Sequence, residues 1–541
     1  MISTRHAPVS INHIFVIHMK KGLFIAFMLL NINVFSQLTL STKKIVFDET
    51  VVGNYNLKYV KIINLYKHSV DVEFISHNAD IKAEPGSLSI PAQGSYDITL
   101  KFEPTHNVSY NSEIVLKTNS NSGSYSIDVT GQGAYAESYY ASTKNLWEQD
   151  LKDELKSILA KNYKNLGYNG ARDAMYSDID NSGGVVTCVY TGKTATFNSR
   201  SGANDNGFNC EHTWPQSLFN SNEPERADIH HLFPTDVGAN SRRGNYPFNI
   251  VSSSTWEVGG SKANSSEFEP RDLHKGDVAR AMFYFATRYT NYSSFLTGQE
   301  SVLRSWSTTY MPSQESRDRN EAIFGYQKNR NPYVDHPEFL NRITSISNNS
   351  VAASIYELKS AFTSINFGDV GPGFITNFIL VLTNTGNQTI EITDVSCDLE
   401  ELRFTNKAFV ILPGESEEVR IEIIRVGSTS LGMESGKIQV TTKNGGTDKQ
   451  VPVQFNMITL GLEKALEEES SIQHKHGLLI IESIPKATFQ IVSQMGQKIY
   501  LNEIKSKFTE IETSFLPSGA YFAVLIDPNG KRMVKSFVVV H

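Results

Sequence analysis

Two ionisable side chains are neighbours in the stretch FNCEHTWPQS, which spans residues 208–217. Glu211 offers carboxylate oxygens, and His212 offers a ring nitrogen that can take up a proton near neutral pH. Adjacent residues of a regular strand face opposite sides, so the two side chains either do different jobs or lie at an irregular point of the chain. The Trp-Pro that follows cannot continue a helix. The spacing therefore indicates a site that combines ligand binding with proton transfer.

A second polar stretch, ADIHHLFPTDVGANSRRGNYPF, spans residues 227–248. It predicts a short strand, IHHLFPT, followed by a helix that begins at Asp236, since aspartate is a favourable N-cap. Asn240 would lie one turn into that helix and face back toward the strands. A hairpin containing His212, followed by this helix, would gather an imidazole, a carboxylate and an amide around one point.

The expected donor set suits a hard cation. Glu211 and Asn240 supply two oxygen ligands with one negative charge, which favours Mg²⁺, while Mn²⁺ and Ca²⁺ stay open and Zn²⁺ would prefer more His or Cys. A neutral His212 beside the metal could accept a proton from water. The metal could then stabilise charge on a phosphate and on a departing oxygen.

Helical segments surround these two stretches. NLWEQDLKDELKSILAKNY predicts a helix with Trp147, Leu151, Leu155 and Ile158 on one face. KGDVARAMFYFATRYTN predicts another, with Val278, Met282, Phe285 and Tyr289 on one face. Asp277 would lie in the first turn of the second helix, where the helix dipole favours an anion. The region 138–345 is therefore a mixed α+β domain with a helical majority.

The two polar stretches together resemble endonuclease I, a family of His-Me finger (ββα-metal) nucleases. The likeness extends over about 200 residues and includes CVYTGKTA, EPRDLHKGDVARAMFYFATRY and NRNPYVDHPEF. It implies that His212 is the general base that activates water. It implies that Glu211 is the metal-binding carboxylate and that Asn240 is the metal-binding amide.

The family's phosphate-stabilising arginine is not placed by the resemblance, because the insertion that carries it is short in this chain. Arg226 is the first candidate for this catalytic role and Arg243 the second. Arg242 and Asn245 are expected to contact substrate. An arginine fork matches phosphate geometry, so a cluster of this kind could grip the substrate near the metal.

Several neighbours of the site have simpler interpretations. His230 and His231 are adjacent on the predicted strand, so at most one can face the site, and packing or an orienting hydrogen bond is the favoured role. Asp228 is expected to cap or brace the strand. Trp214 and Phe233 are expected in the core.

Only three cysteines occur, which excludes a disulfide-rich scaffold. Cys188 and Cys210 both lie in the nuclease-like domain, and a disulfide between them is left open, since sequence cannot show their Cα separation. Cys397 is expected to be a small buried hydrophobe.

Short alternating strands flank this domain on both sides. Residues 38–135 predict a β-sandwich, and residues 360–457 repeat its scheme, with FVILPGESEEVRIEI matching LSIPAQGSYDITLKF. Both resemble immunoglobulin-like (abnormal-spindle/hydin-like) modules. After a linker at 458–472, residues 473–541 predict a small β-sandwich with an Asn529-Gly530 hairpin turn. LPSGAYFAVL, NGK and KSFVVV in this part resemble the C-terminal sorting domain of type IX secretion substrates.

The N-terminal part, residues 1–37, predicts a leader. From Met19 a pair of lysines precedes the apolar run GLFIAFMLLNINVF and Ser36, the pattern of a signal peptide. The apolar run is too short for a transmembrane helix, so no stable membrane span is expected. We expect export through the periplasm, passage by the type IX secretion machinery, and a monomer that is secreted or held at the cell surface.

The chain of 541 residues with net charge −7 is therefore expected to be a multidomain secreted endonuclease. Acidic residues slightly outnumber basic ones within 137–342, so binding of DNA, or of RNA as well, should depend strongly on salt and show little sequence preference. A surface adhesion or binding protein with an inactive nuclease-like core is the main alternative. A phosphoesterase that acts on small substrates is the other.

Overall fold

The computed structural model describes residues 38–120, 123–370, 376–423, 432–443, 448–458, 470–475, 477–483, 486–494, 496–528 and 532–540. The expected leader, most of the linker and the Asn529-Gly530 turn lie outside these residues. Four parts follow one another along the chain, and we call them the first β region, the central region, the second β region and the C-terminal β region.

The first β region contains two sheets that share one apolar core. Its strands are β1 (Leu38–Leu40), β2 (Lys44–Val46), β3 (Thr50–Val51), β4 (Asn56–Asn64), β5 (Val70–Ser76), β6 (Ile81–Glu84), β7 (Ser87–Ile90), β8 (Ser95–Phe102), β9 (Ser109–Thr118) and β10 (Ser124–Ala134). One sheet has the order β1-β4-β8-β6, and the other has the order β2-β10-β9-β5-β7 with β3 beside β10. Alternating side chains of both sheets point into the space between them, which is why the strands read as alternating in sequence.

The central region is the helical part of the chain. Its helices are α1 (Glu148–Ala160), α2 (Gly167–Ala174), α3 (Arg200–Asp205), α4 (Val237–Arg243), α5 (Asp272–Arg288), α6 (Glu300–Thr309), α7 (Gln314–Gln327) and α8 (Pro332–Asp335). Its short strands are β11 (Asn181–Ser182), β12 (Val185–Thr187), β13 (Thr194–Thr196), β14 (Phe208–His212), β15 (Leu232–Asp236), β16 (Trp256–Val258), β17 (Ser261–Ala263) and β18 (Phe268–Glu269). Helix α5 is buried along most of its length and forms the centre of the core. None of the helices among the described residues is long and apolar enough to cross a membrane.

Two details of the predicted helices are wrong. Trp147 precedes α1 and is 45% exposed, while Leu151, Leu155 and Ile158 are buried as expected. Asp277 lies in the second turn of α5, because that helix begins earlier, at Asp272. The carboxylate of Asp277 instead accepts hydrogen bonds from Arg280 at 2.8 Å and from Ser316 at 2.7 Å.

The second β region repeats the strand order of the first. Its strands are β19 (Leu358–Ser360), β20 (Ile365–Val370), β21 (Thr376–Asn384), β22 (Ile390–Cys397), β23 (Leu402–Phe404), β24 (Phe409–Ile411), β25 (Ser416–Ile423), β26 (Gly432–Lys443) and β27 (Lys449–Met457). The sheets have the orders β19-β21-β25-β23 and β20-β27-β26-β22-β24. In both regions the first strand of the larger sheet is parallel to the last strand of the region. The weak sequence repeat is thus matched by a repeat of topology.

The C-terminal β region has two smaller sheets over a shared core. Its strands are β28 (Ser471–Lys475), β29 (Leu478–Glu482), β30 (Thr488–Ser493), β31 (Lys498–Glu503), β32 (Phe508–Glu512), β33 (Gly519–Ile526) and β34 (Arg532–Val539). One sheet has the order β28-β29-β32 and the other β31-β30-β33-β34.

Polar contacts join the two larger β regions. Ser124 on β10 donates to the carbonyl of Ile379 at 3.1 Å and accepts from the backbone of Val381 at 3.1 Å. Glu113 on β9 accepts from the backbone of Ser416 at 2.7 Å. Burial raises the pKa of Glu113 to about 7, since this contact removes the carboxylate from water.

Arg342 joins the first β region to the central region. Its fully buried guanidinium donates to the carbonyl oxygens of Thr143 and Leu146 and to the side chain of Asn107. The side chain of Asn107 in turn donates to the Thr143 hydroxyl at 3.1 Å. A buried arginine is tolerated only when its donors are used in this way.

Asp228 is a buried hub of the central region. One carboxylate oxygen accepts from Arg288 at 2.6 Å, Tyr284 at 2.8 Å and Tyr289 at 3.0 Å. The other oxygen accepts from the Gln327 amide at 3.0 Å. Burial by itself would raise the pKa of Asp228, but Arg288 and two neighbouring histidines lower it to about 2. The hub ties the end of α5 and the end of α7 to the segment before β15.

Three histidines, His230, His231 and His274, are buried in the same core, and burial lowers the pKa of each to about 4. A pKa below the ordinary value of 6.5 means that the fold holds these rings neutral. The unfolded chain binds their protons first as the pH falls, so stability is complete above about pH 6.5 and decreases toward pH 4.

We predict that Arg342→Met lowers the free energy of unfolding of the central region by about 3 kcal/mol or more, because buried acceptors lose their charged donor. The measurement is urea unfolding followed by tryptophan fluorescence, since all four tryptophans lie in the central region. Arg420→Met removes an exposed arginine of the second β region and is the matched control. Equal stability of the two variants would contradict this role of Arg342.

We also predict that His274→Phe weakens the acid sensitivity of the central region. Each neutral buried histidine contributes a slope of about 1.4 kcal/mol per pH unit between roughly pH 6.5 and 4. The variant removes one such proton and keeps a ring beside Phe233, whose centroid is 4.7 Å away. The same fluorescence assay, repeated from pH 7 to 4.5, measures the slope, and the exposed His68→Phe serves as control. A slope that His274→Phe leaves unaltered would show that this ring is already charged in the fold.

Candidate active site

A hairpin and a helix form the predicted motif around His212. Strands β14 and β15 are antiparallel, with Glu211 opposite Phe233 and His212 opposite Leu232. Asp236 caps α4, accepting from the backbone of Gly238 at 2.9 Å and of Ala239 at 3.2 Å. The turn from strand to helix is therefore fixed locally, as the sequence predicted.

The segment before β15 differs from the predicted strand. Ile229–His231 is a 3-10 turn that Asp228 caps through the backbone of His230, so the strand begins only at Leu232. His230 donates to the carbonyl of Asn329 at 3.1 Å, and His231 to that of Glu225 at 2.7 Å. Both rings are buried and serve packing and orientation, because neither lines the cleft described below.

A polar cleft of about 290 Å³ opens beside the hairpin. Glu211, His212 and Asn240 all line it, so the structure brings the three predicted residues together. His212 is the last residue of strand β14 and lines the cleft together with its neighbour Glu211. The remaining lining residues are Tyr168, Arg172, Tyr176, Arg200, Ala203, Asn204, Asn209, Cys210, Gln216 and Asn245.

Glu211 is a buried carboxylate with one oxygen committed to the protein. Oε1 accepts from the hydroxyl of Tyr190 at 2.8 Å and lies 3.3 Å from Nε of Arg243. Burial raises the pKa of Glu211 to about 7, although Arg243 and Tyr190 act in the opposite direction. Within the described part of the chain no hydrogen bond reaches Oε2. A cation in the cleft would complete the compensation of this charge.

His212 is held with one nitrogen fixed. Nε2 lies 3.2 Å from the carbonyl oxygen of Arg226, and a carbonyl can only accept, so Nε2 carries the proton. Nδ1 is then the nitrogen with a free lone pair. Burial, then His231 and Arg226, hold the pKa of His212 well below its usual value. The ring is therefore neutral at pH 7 and able to accept a proton.

Asn240 is oriented by its amide nitrogen. Nδ2 donates to the side-chain oxygen of Asn209 at 2.9 Å and to the carbonyl of Cys210 at 3.3 Å. Asn209 is itself fixed by the hydroxyl of Thr235 at 3.0 Å. With its nitrogen used, Asn240 presents its oxygen as the available ligand atom.

The oxygens of Glu211 and Asn240 fit a hard divalent cation. Oε2 of Glu211 and Oδ1 of Asn240 accept no hydrogen bond from the described residues. Both residues line one cleft, and together they carry a single negative charge. Among the described residues no group of three or more His, Cys, Asp or Glu side chains could hold a metal. Most ligand positions of a cation here would thus be filled by water or substrate oxygens, an arrangement that Mg²⁺ prefers.

Arg243 is not available to a substrate, contrary to the sequence prediction. It is 1% exposed and donates to the carbonyl oxygens of His212, Thr213 and Gly244. Its guanidinium also lies 4.6 Å from the ring centre of Phe248. Arg243 therefore holds the motif together from inside.

The other predicted contacts divide in the same way. Arg226 stacks on Tyr168 at 4.3 Å and supplies the carbonyl that orients His212, but it does not line the cleft. Arg242 is exposed on α4 and also lies outside the cleft lining. Asn245 does line the cleft and donates to the hydroxyl of Ser217 at 3.0 Å.

Cys188 and Cys210 are free thiols, so the disulfide left open by the sequence is not formed. The sulfur of Cys188 accepts from the backbone of Asp236 at 3.1 Å and helps to hold the start of α4. The sulfur of Cys210 interacts with the carbonyl of Glu211 at 3.6 Å. Each sulfur thus has its own local partner. Cys397 is also free and only partly buried.

Two arginines that the sequence analysis did not predict, Arg172 and Arg200, also line the cleft. Arg172 lies on α2, one turn after Tyr168, and its guanidinium is 4.1 Å from that ring centre. Arg200 begins α3 and pairs with Asp173 at 2.6 Å. The tyrosine–arginine pair at i, i+4 was a visible signal of a shared helix face. Nothing in the sequence linked either arginine to His212.

Comparisons with known proteins match the central region to nucleases. The family profile described as Endonuclease I matches residues 145–338. An extracellular ribonuclease of Bacillus subtilis (strain 168) is 33% identical over 231 residues, which cover 39% of this chain and 79% of the relative. An extracellular ribonuclease of Bacillus amyloliquefaciens is 34% identical with the same coverage. The solved ASH / PapD-like domain of human CEP192 matches 23% of this chain and 100% of its own length at 15% identity, with a TM-score of 0.18 that supports no fold assignment. The chain belongs to the endonuclease I family.

Proposed function

We propose that this protein is a metal-dependent endonuclease that hydrolyses phosphodiester bonds in DNA and RNA with little sequence preference. The observation that carries the proposal is the convergence of Glu211, His212 and Asn240 on one cleft. His212 has one nitrogen bound to a backbone carbonyl and is neutral at pH 7. An inactive binding protein would have no need of this arrangement.

His212 would act as the general base. Its Nδ1 accepts a proton from water as the water oxygen attacks phosphorus. Nε2 keeps its own proton and its hydrogen bond to the Arg226 carbonyl. The bond to the departing 3′ oxygen breaks, and that oxygen takes up a proton from solvent water, which leaves a 3′-hydroxyl and a 5′-phosphate. The low pKa keeps the base unprotonated before the step, and the carbonyl stabilises the ring once it is charged.

Glu211 and Asn240 would hold Mg²⁺ through Oε2 and Oδ1. When bound, the metal supplies charge neutralisation at the phosphate and stabilises the departing oxygen. Tyr190 and Arg243 fix the carboxylate, and Asn209 fixes the amide, so both ligand atoms are oriented in advance. Mn²⁺ or Ca²⁺ could enter the same oxygen site.

The cleft favours a polymer over a small molecule. It is polar and is lined mainly by hydrogen-bonding side chains, whereas small-molecule pockets are mostly apolar. The two Bacillus relatives carry the name ribonuclease, which supports RNA as a substrate beside DNA. The proposed role is degradation of extracellular nucleic acid.

We extend the proposal to the other regions. The repeated strand order supports two immunoglobulin-like modules, at 38–135 and 360–457. The C-terminal β region would be a sorting domain read by the type IX secretion machinery. Together with the leader expected from Met19, it would deliver a monomer outside the cell. The extracellular relatives support export.

We predict that His212→Ala lowers plasmid nicking by about 10²- to 10⁴-fold, the range typical of a lost general base. Glu211→Gln and Asn240→Ala should also abolish most activity, and EDTA should stop the wild type. The assay measures the rate of conversion of supercoiled to nicked plasmid in Mg²⁺.

The control is His68→Ala, an exposed histidine of the first β region, which should nick at the wild-type rate. Wild-type protein that leaves plasmid and RNA intact in Mg²⁺, Mn²⁺ and Ca²⁺ would refute the nuclease proposal. Nicking by His212→Ala at the wild-type rate would refute the assignment of the base.

A second prediction measures metal binding without catalysis. A cation that binds only the folded site stabilises it by about 2.7 kcal/mol at a concentration 100 times its Kd. Mg²⁺ should therefore raise the urea midpoint of tryptophan fluorescence for the wild type and for His212→Ala. Glu211→Gln and Asn240→Ala should lose this gain. An equal gain in all four proteins would place the cation elsewhere.

A further inference from the structure

The cleft contains two positive charges that the catalytic proposal does not use. Arg172 and Arg200 line it together with Glu211, His212 and Asn240. They come from α2 and α3, which precede the hairpin, and neither donates a hydrogen bond to the three site residues in the described part of the chain. Their position calls for a separate explanation.

Each arginine is held by one hydrogen bond from one of its nitrogens. Nη2 of Arg172 donates to the side-chain oxygen of Asn169 at 2.7 Å, and the guanidinium plane rests on Tyr168 at 4.1 Å. Nε of Arg200 donates to Asp173 at 2.6 Å. A hydrogen bond from one nitrogen of a guanidinium removes much of the rotational freedom of the group before a ligand arrives.

Each arginine has further nitrogens that make no hydrogen bond to the described residues. Nε of Arg172 is buried and has no hydrogen bond among the described residues. For Arg200, the same residues provide no acceptor for Nη1 or Nη2. The buried Nε of Arg172 without an acceptor is unfavourable and indicates a missing oxygen, supplied by water or by a ligand, while the Arg200 side chain is 38% exposed and can be reached from solvent. The ligand that best matches a planar, always charged donor pair is a phosphate.

We propose that Arg172 and Arg200 bind phosphates that flank the one being cleaved, so that the enzyme recognises a polynucleotide strand and not an isolated phosphodiester. The inference rests on the proposed function of the same cleft. The scissile phosphate must lie at the oxygens of Glu211 and Asn240. Because the two arginines belong to other helices and make no hydrogen bond or ion pair with those residues among the described residues, we assign the phosphate bound to them as a neighbour along the strand.

Sequence-independent contacts of this kind have a measurable signature. Each phosphate contact on a single strand contributes about 0.7 to the slope of log affinity against log salt concentration. Arg172→Ala and Arg200→Ala should each reduce the slope by about that amount and weaken binding on the order of 10-fold. The two effects should add, because the arginines use separate anchors.

The experiment uses the full chain and two substrates. Binding of a fluorescent single-stranded oligonucleotide is titrated in the His212→Ala background from 50 to 400 mM salt. Hydrolysis of thymidine 5′-p-nitrophenyl phosphate, which has no flanking phosphate, is measured in the background with His212 intact. The arginine variants should lose oligonucleotide affinity and salt slope while keeping kcat on the small substrate.

A folding check, two lysine variants and a distant arginine control accompany the binding measurement. Tryptophan fluorescence shows whether each variant folds, and Arg172→Lys and Arg200→Lys should recover the salt slope because they keep the charge. Arg420→Ala, a distant exposed arginine, should change nothing. Wild type that cleaves neither substrate would refute the proposed function itself. An unchanged salt slope, or an equal loss on both substrates, would refute the flanking-phosphate site.

Discussion

The geometry of the site depends on the buried ion pair between Arg243 and Glu211. The two charges lie 3.3 Å apart and are almost completely removed from water, a state that is tolerated only when the remaining donors and acceptors are satisfied. The Nη atoms of Arg243 donate to the carbonyl oxygens of His212 and Thr213, so that the side chain joins helix α4 to the end of strand β14. Glu211, His212 and Asn240 share one cleft because this arginine fixes the helix against the strand.

The same burial leaves Glu211 incompletely compensated. Even with Arg243 and Tyr190 beside it, the pKa of this carboxyl stays raised to about 7, since one shared cation does not replace the lost water. His212 has the opposite condition, with a pKa held low by burial and by nearby positive charge. Two adjacent residues are thus pushed in different directions, one toward binding a cation and the other toward accepting a proton. The opposite pKa shifts of Glu211 and His212 explain how two adjacent residues can have different roles.

Local rules predicted the elements of the site well. The N-cap at Asp236 and the hairpin that contains His212 depend on near neighbours, and the structure contains both. The roles of the arginines could not be read in that way. From the sequence, Arg243 was predicted to bind phosphate. It is buried instead because it donates to the carbonyl of Thr213 and packs on Phe248, and neither contact can be predicted from its neighbours in sequence. The strand predicted at Ile229–His231 became a 3-10 turn because the buried charge of Asp228 captures the backbone there.

The arginines in and around this cleft differ chiefly in whether a ligand can reach them. Arg243 is 1% exposed, donates to backbone carbonyl oxygens and acts as structure, whereas Arg172 and Arg200 line the cleft and are each held at one nitrogen, with other nitrogens lacking a hydrogen bond among the described residues. A guanidinium that is held at one nitrogen and open to the cleft is oriented in advance for a ligand, and a fully buried one cannot be reached. Sequence shows only that an arginine is near a motif. Its burial and its hydrogen bonds depend on the whole fold. They distinguish a residue that stabilises the site from one that can bind the substrate.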